Sequence, residues 1–334
     1  MYIIEKRELN VGKVINDVIY DLYVENDQDI YVIDTNNGDN CIDYYFDGEE
    51  KLQFIYSCYN DNSKKNFHLA YQKAIQVLNN TKCLDIKDAY RDCLVLARAY
   101  ANFDNLCSSI DDLTSNYFPC IANDFQCNNI KFNFKKIESI GLYYIVPDIY
   151  WLKYVMNLGV SVVQLRIKGK SDDEVEKEIA QCIEFAKKNK VKLFINDYWK
   201  LAIKYGADGV HLGQEDCKTA DIYNIYQSGL YLGISTHCYH ELARACYFNP
   251  SYIAFGPIFP TTSKIMKFNA QGLKLLTQWV KNTDCSVVAI GGINLSNVDS
   301  VVDCGVDGIA VISALIDSDN PENVTYEFQK RFVR

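Results

Sequence analysis

From Ile140 onward, short apolar runs recur, each followed by text with apolar residues at helical spacing. The runs cover 142–146, 161–165, 192–195, 209–212, 231–234, 252–255, 286–290 and 308–312. Runs of this length read as buried strands, and the longer periodic segments between them as helices. Eight strands alternating with helices predict an α/β fold over 136–334, a (β/α)₈ TIM barrel. The segment has roughly 195 residues, near the ~200-residue low end for this fold, so its loops must be short. A doubly wound open sheet is the alternative. It ranks below the barrel because no G-x-G-x-x-G follows the first run and the strand count is eight.

Residues 1–135 pattern differently and predict a small α/β amino-terminal domain. Helical text spans 11–22, and a short strand 29–34. Runs at 41–46 and 52–56 flank Asp47-Gly48-Glu49-Glu50, which predicts a hairpin turning at Asp-Gly. Residues 60–66 form a polar loop. Residues 67–78 and 88–102 carry apolar positions at helical spacing, for example Cys93, Leu94, Leu96, Ala97 and Tyr100. The stretch 109–134 lacks clean periodicity and predicts a linker, although Tyr117, Phe118, Phe125, Phe132 and Phe134 need a surface to pack on.

Composition is that of a soluble globular protein, 49% hydrophobic and 23% charged. A net charge of −9 without a long basic run argues against a nucleic-acid partner. Met1-Tyr-Ile-Ile meets Glu5-Lys-Arg-Glu8 at once, so no signal peptide is expected, and no apolar run reaches membrane-span length. The 13 cysteines include no C-x-x-C pair, and several sit inside apolar text. They read as reduced, buried small hydrophobes of a cytoplasmic protein rather than as a disulfide or zinc framework.

Barrels place their chemistry at the C-terminal ends of the strands. Asp197 and Asp216 end neighbouring strands, 19 residues apart in sequence, with Asn196 and Gln214 beside them. Each acid alone reads as a helix cap; the pair suits Mg²⁺ bridging to substrate phosphates. After the second strand, Gln164, Arg166 and Lys168 alternate onto one side. Arg166 and Lys168 with Asn196, Lys264 and Mg²⁺ make a cationic pocket adequate for a pyrophosphate. The sixth strand runs into Gly256-Pro-Ile-Phe-Pro-Thr261-Thr-Ser263-Lys264. Thr261 and Ser263, the glycines Gly291 and Gly292, and Ser313 after the eighth strand form a second pocket, suited to a monophosphate. A lone histidine is more often structural, so His237 is given no chemical role. No side chain stands out as an activated nucleophile with its own base. The chemistry that remains is displacement of a metal-held pyrophosphate by a second, phosphorylated substrate.

These motifs resemble those of the thiamine phosphate synthases. Gln-Leu-Arg-x-Lys, Phe-Ile-Asn-Asp-Tyr, Gly-Val-His-Leu-Gly-Gln-Glu-Asp, Gly-Ile-Ser-x-His, Phe-Gly-Pro-Ile-Phe-Pro-Thr-x-Ser-Lys, Ala-Ile-Gly-Gly-Ile and Ala-Val-Ile-Ser-Ala occur in family order. The resemblance implies joining of hydroxymethylpyrimidine pyrophosphate to thiazole phosphate, with Mg²⁺, to give thiamine phosphate and pyrophosphate. It implies that Asp197 and Asp216 hold the metal and that Arg166, Lys168, Asn196, Ser235 and Lys264 contact the pyrophosphate. Gln164 would lie close to the pyrimidine. Thr261, Ser263, Gly292, Ile312 and Ser313 would receive the thiazole phosphate. The family often has Thr where Ser263 stands; the hydroxyl is kept. The implied route is dissociative, through a pyrimidinylmethyl cation captured by the thiazole nitrogen. The expected partners are these small molecules, with no nucleic acid and no membrane; self-association into a homo-oligomer is left open.

The amino-terminal text is similar to the end of hydroxymethylpyrimidine (phosphate) kinases, in Tyr44-Tyr-Phe-Asp-Gly-Glu-Glu50, the helix at 67–78 and Asp92 to Asn102. Where that family has a glycine-rich phosphate turn, Ser63-Lys-Lys-Asn-Phe67 stands, with no glycine. The segment is also much shorter than a whole kinase. An inactive, truncated remnant is expected, and an unrelated small α/β appendage is the alternative. Two other functions stay open: a thiazole tautomerase-like barrel without the pyrophosphate reaction, and a non-catalytic interaction role for the amino-terminal part.

Overall fold

The computed structural model describes residues 2–5, 28, 30–37, 40–57, 67–78, 86–103, 113, 115–123, 131–137, 140–261 and 268–332. They group into two compact units, Met1–Lys131 with Cys238–Phe248, and Phe132–His237 with Asn249–Arg334. The expected single boundary near 135 thus becomes a division after Lys131, and an eleven-residue stretch from inside the barrel sequence joins the first unit.

The first unit holds a five-stranded sheet in sequential order, β1 (Tyr2–Glu5), β2 (Ile30–Asn37), β3 (Asn40–Phe46), β4 (Lys51–Ser57) and β5 (Cys120–Asn123). β1 pairs parallel with β2, and the other pairings are antiparallel. The β3–β4 hairpin forms where the Asp-Gly signal places it. The Asp47 carboxylate accepts from the Glu49 and Glu50 N–H groups at 3.0 and 2.8 Å, and Gly48 takes φ 87°. Helices α1 (Phe67–Leu78) and α2 (Ile86–Asn102) pack on each other. Within the core, Arg98 pairs with Asp43, whose carboxylate also accepts from Tyr31 at 2.6 Å and Tyr56 at 3.0 Å. Full burial of this charge pair is tolerated because its oxygens are hydrogen-bonded.

The linker expected at 109–134 contains a 3₁₀ turn, Ser115–Tyr117, and the strand β5. β5 completes the open edge of β4, with Ile121 and Ala122 buried. A strand of four residues is too short to announce itself in sequence. The helix expected at 11–22 lies outside the described residues.

The second unit is a closed barrel of parallel strands: β6 (Gly141–Val146), β7 (Val162–Leu165), β8 (Lys192–Asn196), β9 (Gly209–Leu212), β10 (Tyr231–Thr236), β11 (Tyr252–Phe255), β12 (Val287–Ile290) and β13 (Gly308–Val311). β13 closes onto β6 with Gly308 opposite Gly141. The barrel interior is filled by Tyr143, Ile145, Phe194, Tyr252, Val288 and Ala310, among others. Three aromatic rings fit only because two inward positions are glycine. A Cβ on Gly209 would come within 2.4 Å of the Phe194 ring, and one on Gly233 within 2.2 Å of Tyr252.

The connecting helices are α3 (Ile149–Asn157), α4 (Asp172–Asn189), α5 (Trp199–Tyr205), α6 (Gln214–Thr219), α7 (Ile222–Gln227), α8 (Tyr239–Tyr247), α9 (Gly272–Asn282), α10 (Val298–Val302), α11 (Ser313–Ile316) and α12 (Pro321–Lys330). α8, which follows β10, belongs to the first unit, where it contacts β5 and α2. No helix among the described residues is long and apolar enough to cross a membrane. Among the described residues eight cysteines are thiols, but Cys41 is disulfide-bonded, which departs from the expectation of a wholly reduced set.

Candidate active site

The strand ends converge on a cavity of about 190 Å³. Gln164, Arg166, Asn196, Asp197, Asp216, Ser235, Thr261, Gly292, Ile312 and Ser313 all line it, as do His211, His237 and Gly291. Lys168 is exposed and not among the lining residues, because β7 ends at Leu165 and alternation stops there. Ser263 and Lys264 lie outside the described residues.

Neither acid is a helix cap. Asp216 sits in the first turn of α6, whose N-cap is Gly213, and the N-cap of α5 is Tyr198. Asp197 instead adopts φ 65°, a conformation that Asp tolerates better than most residues. Its N–H donates to His211 O on the neighbouring strand at 3.0 Å, and its own carbonyl accepts from Trp199 at 2.7 Å. This fold-back brings the Asp197 carboxyl onto Asp216. The Asp197 pKa is pushed up to about 6, first by loss of hydration and then by the charge and hydrogen bonding of Asp216. Arg166 and Asn196 oppose the shift. The residue is exposed at the cavity mouth. Two carboxyls that cannot both ionise comfortably, with the Asn196 amide beside them, fit a hard divalent cation.

A buried chain of hydrogen bonds lies beneath this pair. Gln164 Nε2 donates to the Tyr143 hydroxyl at 3.2 Å, and the Tyr143 and Tyr252 hydroxyls are 2.8 Å apart. Tyr252 lies 2.8 Å from His211 Nδ1, and His211 Nε2 lies 2.8 Å from Ser235 Oγ. Burial raises both tyrosine pKa values, which keeps the hydroxyls protonated. A hydroxyl oxygen can accept twice, so it is the need to pair every buried hydroxyl hydrogen that selects the direction Gln164 to Tyr143 to Tyr252 to His211 Nδ1. His211 then carries its proton on Nε2 and donates to Ser235. The Ser235 hydrogen is left to face the cavity. Gln214 Nε2 holds the Ser235 carbonyl at 2.8 Å. His211 is the residue that sequence reading passed over. Its signal was a polar side chain two residues from Gly209 in a four-residue, otherwise apolar strand. His237 stacks on Phe268 with ring centroids 4.8 Å apart.

The second pocket opens beside the first, between Pro260, Thr261, Gly292, Asn294, Ser313 and Asp317. Gly291 and Gly292 take φ 96° and 68°. A Cβ would lie 2.6 Å from Pro257 at Gly291 and 2.6 Å from Pro260 O at Gly292, so side-chain-free backbone is required on both counts. The Ile258 and Phe259 N–H groups bond Ile290 O and Gly291 O at 2.9 and 3.0 Å, tying the loop after β11 to the end of β12. α11 is only one turn, so its contribution is a few free N–H groups rather than a long-helix dipole. Asp317 at the rim disfavours an anion there, and Thr261, Ser313 and the glycine backbone must outweigh it.

A family model described as thiamine monophosphate synthase matches residues 142–315, more than half of the chain. The chain belongs to that family. Thiamine-phosphate synthase of Yersinia pseudotuberculosis (strain IP 31758) is 51% identical over 179 residues, 53% of this chain and 83% of that protein. The Proteus mirabilis enzyme is 50% identical over 189 residues, covering 56% and 88%. Among solved structures, thiamine phosphate pyrophosphorylase from Pyrococcus furiosus aligns at 30% identity and TM-score 0.52, over 58% of this chain and 95% of that one. The matched part is the barrel and the cavity just described.

Proposed function

We propose that this family member makes thiamine phosphate in the cytoplasm by transferring a pyrimidinylmethyl group from its pyrophosphate to the nitrogen of a thiazole phosphate. The observation that carries this reading is the Asp197–Asp216 pair facing Arg166, Asn196 and Ser235 in one cavity, beside a glycine-lined recess. Asp197 and Asp216 would hold Mg²⁺, which supplies charge neutralisation to the departing pyrophosphate. Arg166 grips phosphate oxygens with its planar fork, Asn196 donates an amide N–H, and Ser235 donates the hydroxyl hydrogen left free by His211. Lys168 and Lys264 carry further positive charge. The carbon–oxygen bond to pyrophosphate breaks with its electron pair going to the leaving oxygen. The thiazole nitrogen lone pair then forms the new carbon–nitrogen bond. No proton need be removed in either step, so the reaction asks for no general base. Gln164, buried at the cavity floor, meets the pyrimidine. Thr261, Ser263, Gly292, Ile312 and Ser313 receive the thiazole phosphate. The eight cysteine thiols among the described residues support the cytoplasmic assignment, and the Cys41 disulfide counts against it. The tautomerase reading is not favoured, since both acids and the cationic group are present and the family and relatives are synthases.

The test is an assay of purified protein with both phosphorylated substrates and Mg²⁺, following thiamine phosphate. Absence of product from folded protein would overturn the reading. The raised Asp197 pKa sets the pH dependence. Below about 6 the pair retains a proton that Mg²⁺ must displace, and above it the site is free to bind. Mg²⁺ affinity should therefore fall on acidification through that value, by about tenfold per pH unit on the acid side. Titrations of the free protein between pH 5 and 8 check this, and a flat profile would remove the carboxylate pair from the metal site.

The two anion pockets separate kinetically. Ser313→Ala should chiefly raise KM for the thiazole phosphate, by about five- to tenfold, because it deletes one neutral hydrogen bond to a group that does not react. Lys264→Ala should instead lower kcat, since charge grows on the departing pyrophosphate. If both variants changed only the thiazole-phosphate KM, the pocket assignment would be wrong.

We read the first unit as lacking kinase activity. Phe67, at the start of α1, is fully buried and stacks on Tyr31 with centroids 4.8 Å apart, so it is committed to packing. Residues 63–66 lie outside the described residues.

A further inference from the structure

Within the first unit, three buried side chains of metal-ligating type converge: Asp92 on α2, Cys238 at the N-cap of α8, and His240 in the first turn of α8. Their candidate ligand atoms all lie within 4.8 Å of one another. Cys238 Sγ is 3.2 Å from His240 Nδ1, and the Asp92 carboxylate is 2.9 Å from the same nitrogen. The other ring nitrogen, Nε2, faces Asp88 Oδ1 at 3.4 Å. The Asp92 carboxylate also accepts from the His240 backbone N–H at 2.9 Å, so a carboxylate oxygen, a sulfur and a ring nitrogen are packed together. Three electron-rich atoms then share one buried point. Each of the three has a lone pair to give once its proton leaves, so a cation at that point can take all of them as ligands. We propose that Asp92, Cys238 and His240 bind a divalent transition-metal ion of borderline softness, of which Zn²⁺ is the type.

The donor set supports that class. Thiolate, imidazole and carboxylate together match Zn²⁺ and disfavour Mg²⁺ or Ca²⁺, which take oxygen. Tetrahedral Zn²⁺ separates neighbouring N and O donors by about 3.4 Å and N and S donors by about 3.6 Å, from the usual bond lengths. The observed separations need widen by only a few tenths of an ångström. Asp88 behind the imidazole is the carboxylate that commonly orients a ligating histidine. The helix N-terminus favours the thiolate that the metal requires. The ligands come from sequence positions more than 140 residues apart, so the ion would cross-link α2 to α8 inside this unit.

The test uses the full chain, stripped with chelator and titrated with Co²⁺. Sulfur-to-cobalt charge-transfer absorption reports a thiolate ligand, and the barrel acids, which have no sulfur, cannot produce it. Saturation near about one ion per chain, displacement by Zn²⁺ and loss of the band in both Cys238→Ser and His240→Ala are expected. Asp197→Ala should leave the band intact. Absence of the band in the wild-type chain, or its persistence in Cys238→Ser, would overturn the proposal. The wild-type titration decides even if a variant fails to fold.

Discussion

Replacing Asp197 or Asp216 with Ala is expected to lower kcat by about three orders of magnitude while the barrel stays folded, given the several kcal/mol a bound metal supplies to a charged transition state. Both acids stand at the cavity mouth and not in the core, so neither deletion opens a void. Removing one also relieves the other, because their mutual proximity raises the Asp197 pKa. The free variants should thus be as heat-stable as the parent, or slightly more so, and should no longer gain stability from Mg²⁺. Steady-state kinetics together with thermal melts with and without Mg²⁺ check both halves. Retained turnover in either variant, or in excess EDTA, would remove the metal from the reaction.

The second large effect concerns Arg166. It follows β7 directly, is half-buried, and its N–H is fixed to Val146 O at 2.8 Å, so the side chain leaves a rigid point of the rim. Arg166→Met should lower kcat by about 10²–10³-fold, the range found when a donor to developing charge is deleted. Arg166→Lys should recover only part of that loss, because an ammonium keeps the charge but not the two parallel hydrogen bonds. The KM for thiazole phosphate should stay nearly unchanged in both. A change confined to that KM would move Arg166 to the other pocket.

The hydrogen-bond chain explains why His211 is not a catalytic base in this reading. Its Nδ1 accepts from Tyr252 and its Nε2 donates to Ser235, so both nitrogens are engaged below the cavity surface. Its part is to orient Ser235. Nothing in a linear reading of Gly-Val-His-Leu shows that Tyr252, 41 residues on, supplies the other end of the bond.

By itself the sequence determined the barrel and most of its rim. Eight apolar runs, each matching an observed strand within two residues, leave few ways to bury so much apolar surface except a closed parallel sheet covered by helices. The residues that end those runs inherit their position from the strands, which is why Gln164, Arg166, Asn196, Asp197, Asp216, Ser235 and Ser313 could be named before any coordinates. Period-based reasoning stops where regular structure stops. Lys168, three residues past the end of β7, is exposed and does not line the cavity. Tertiary structure alone decided the rest. It folded Asp197 back through a positive φ onto Asp216, and it chose Gly209 and Gly233 to admit Phe194 and Tyr252. It also assigned α8 to the first unit, where His240 meets Asp92 across 148 residues of sequence. A helix's apolar face records that it is buried, but not against what. That choice depends on which complementary surface lies within reach once the strands have closed.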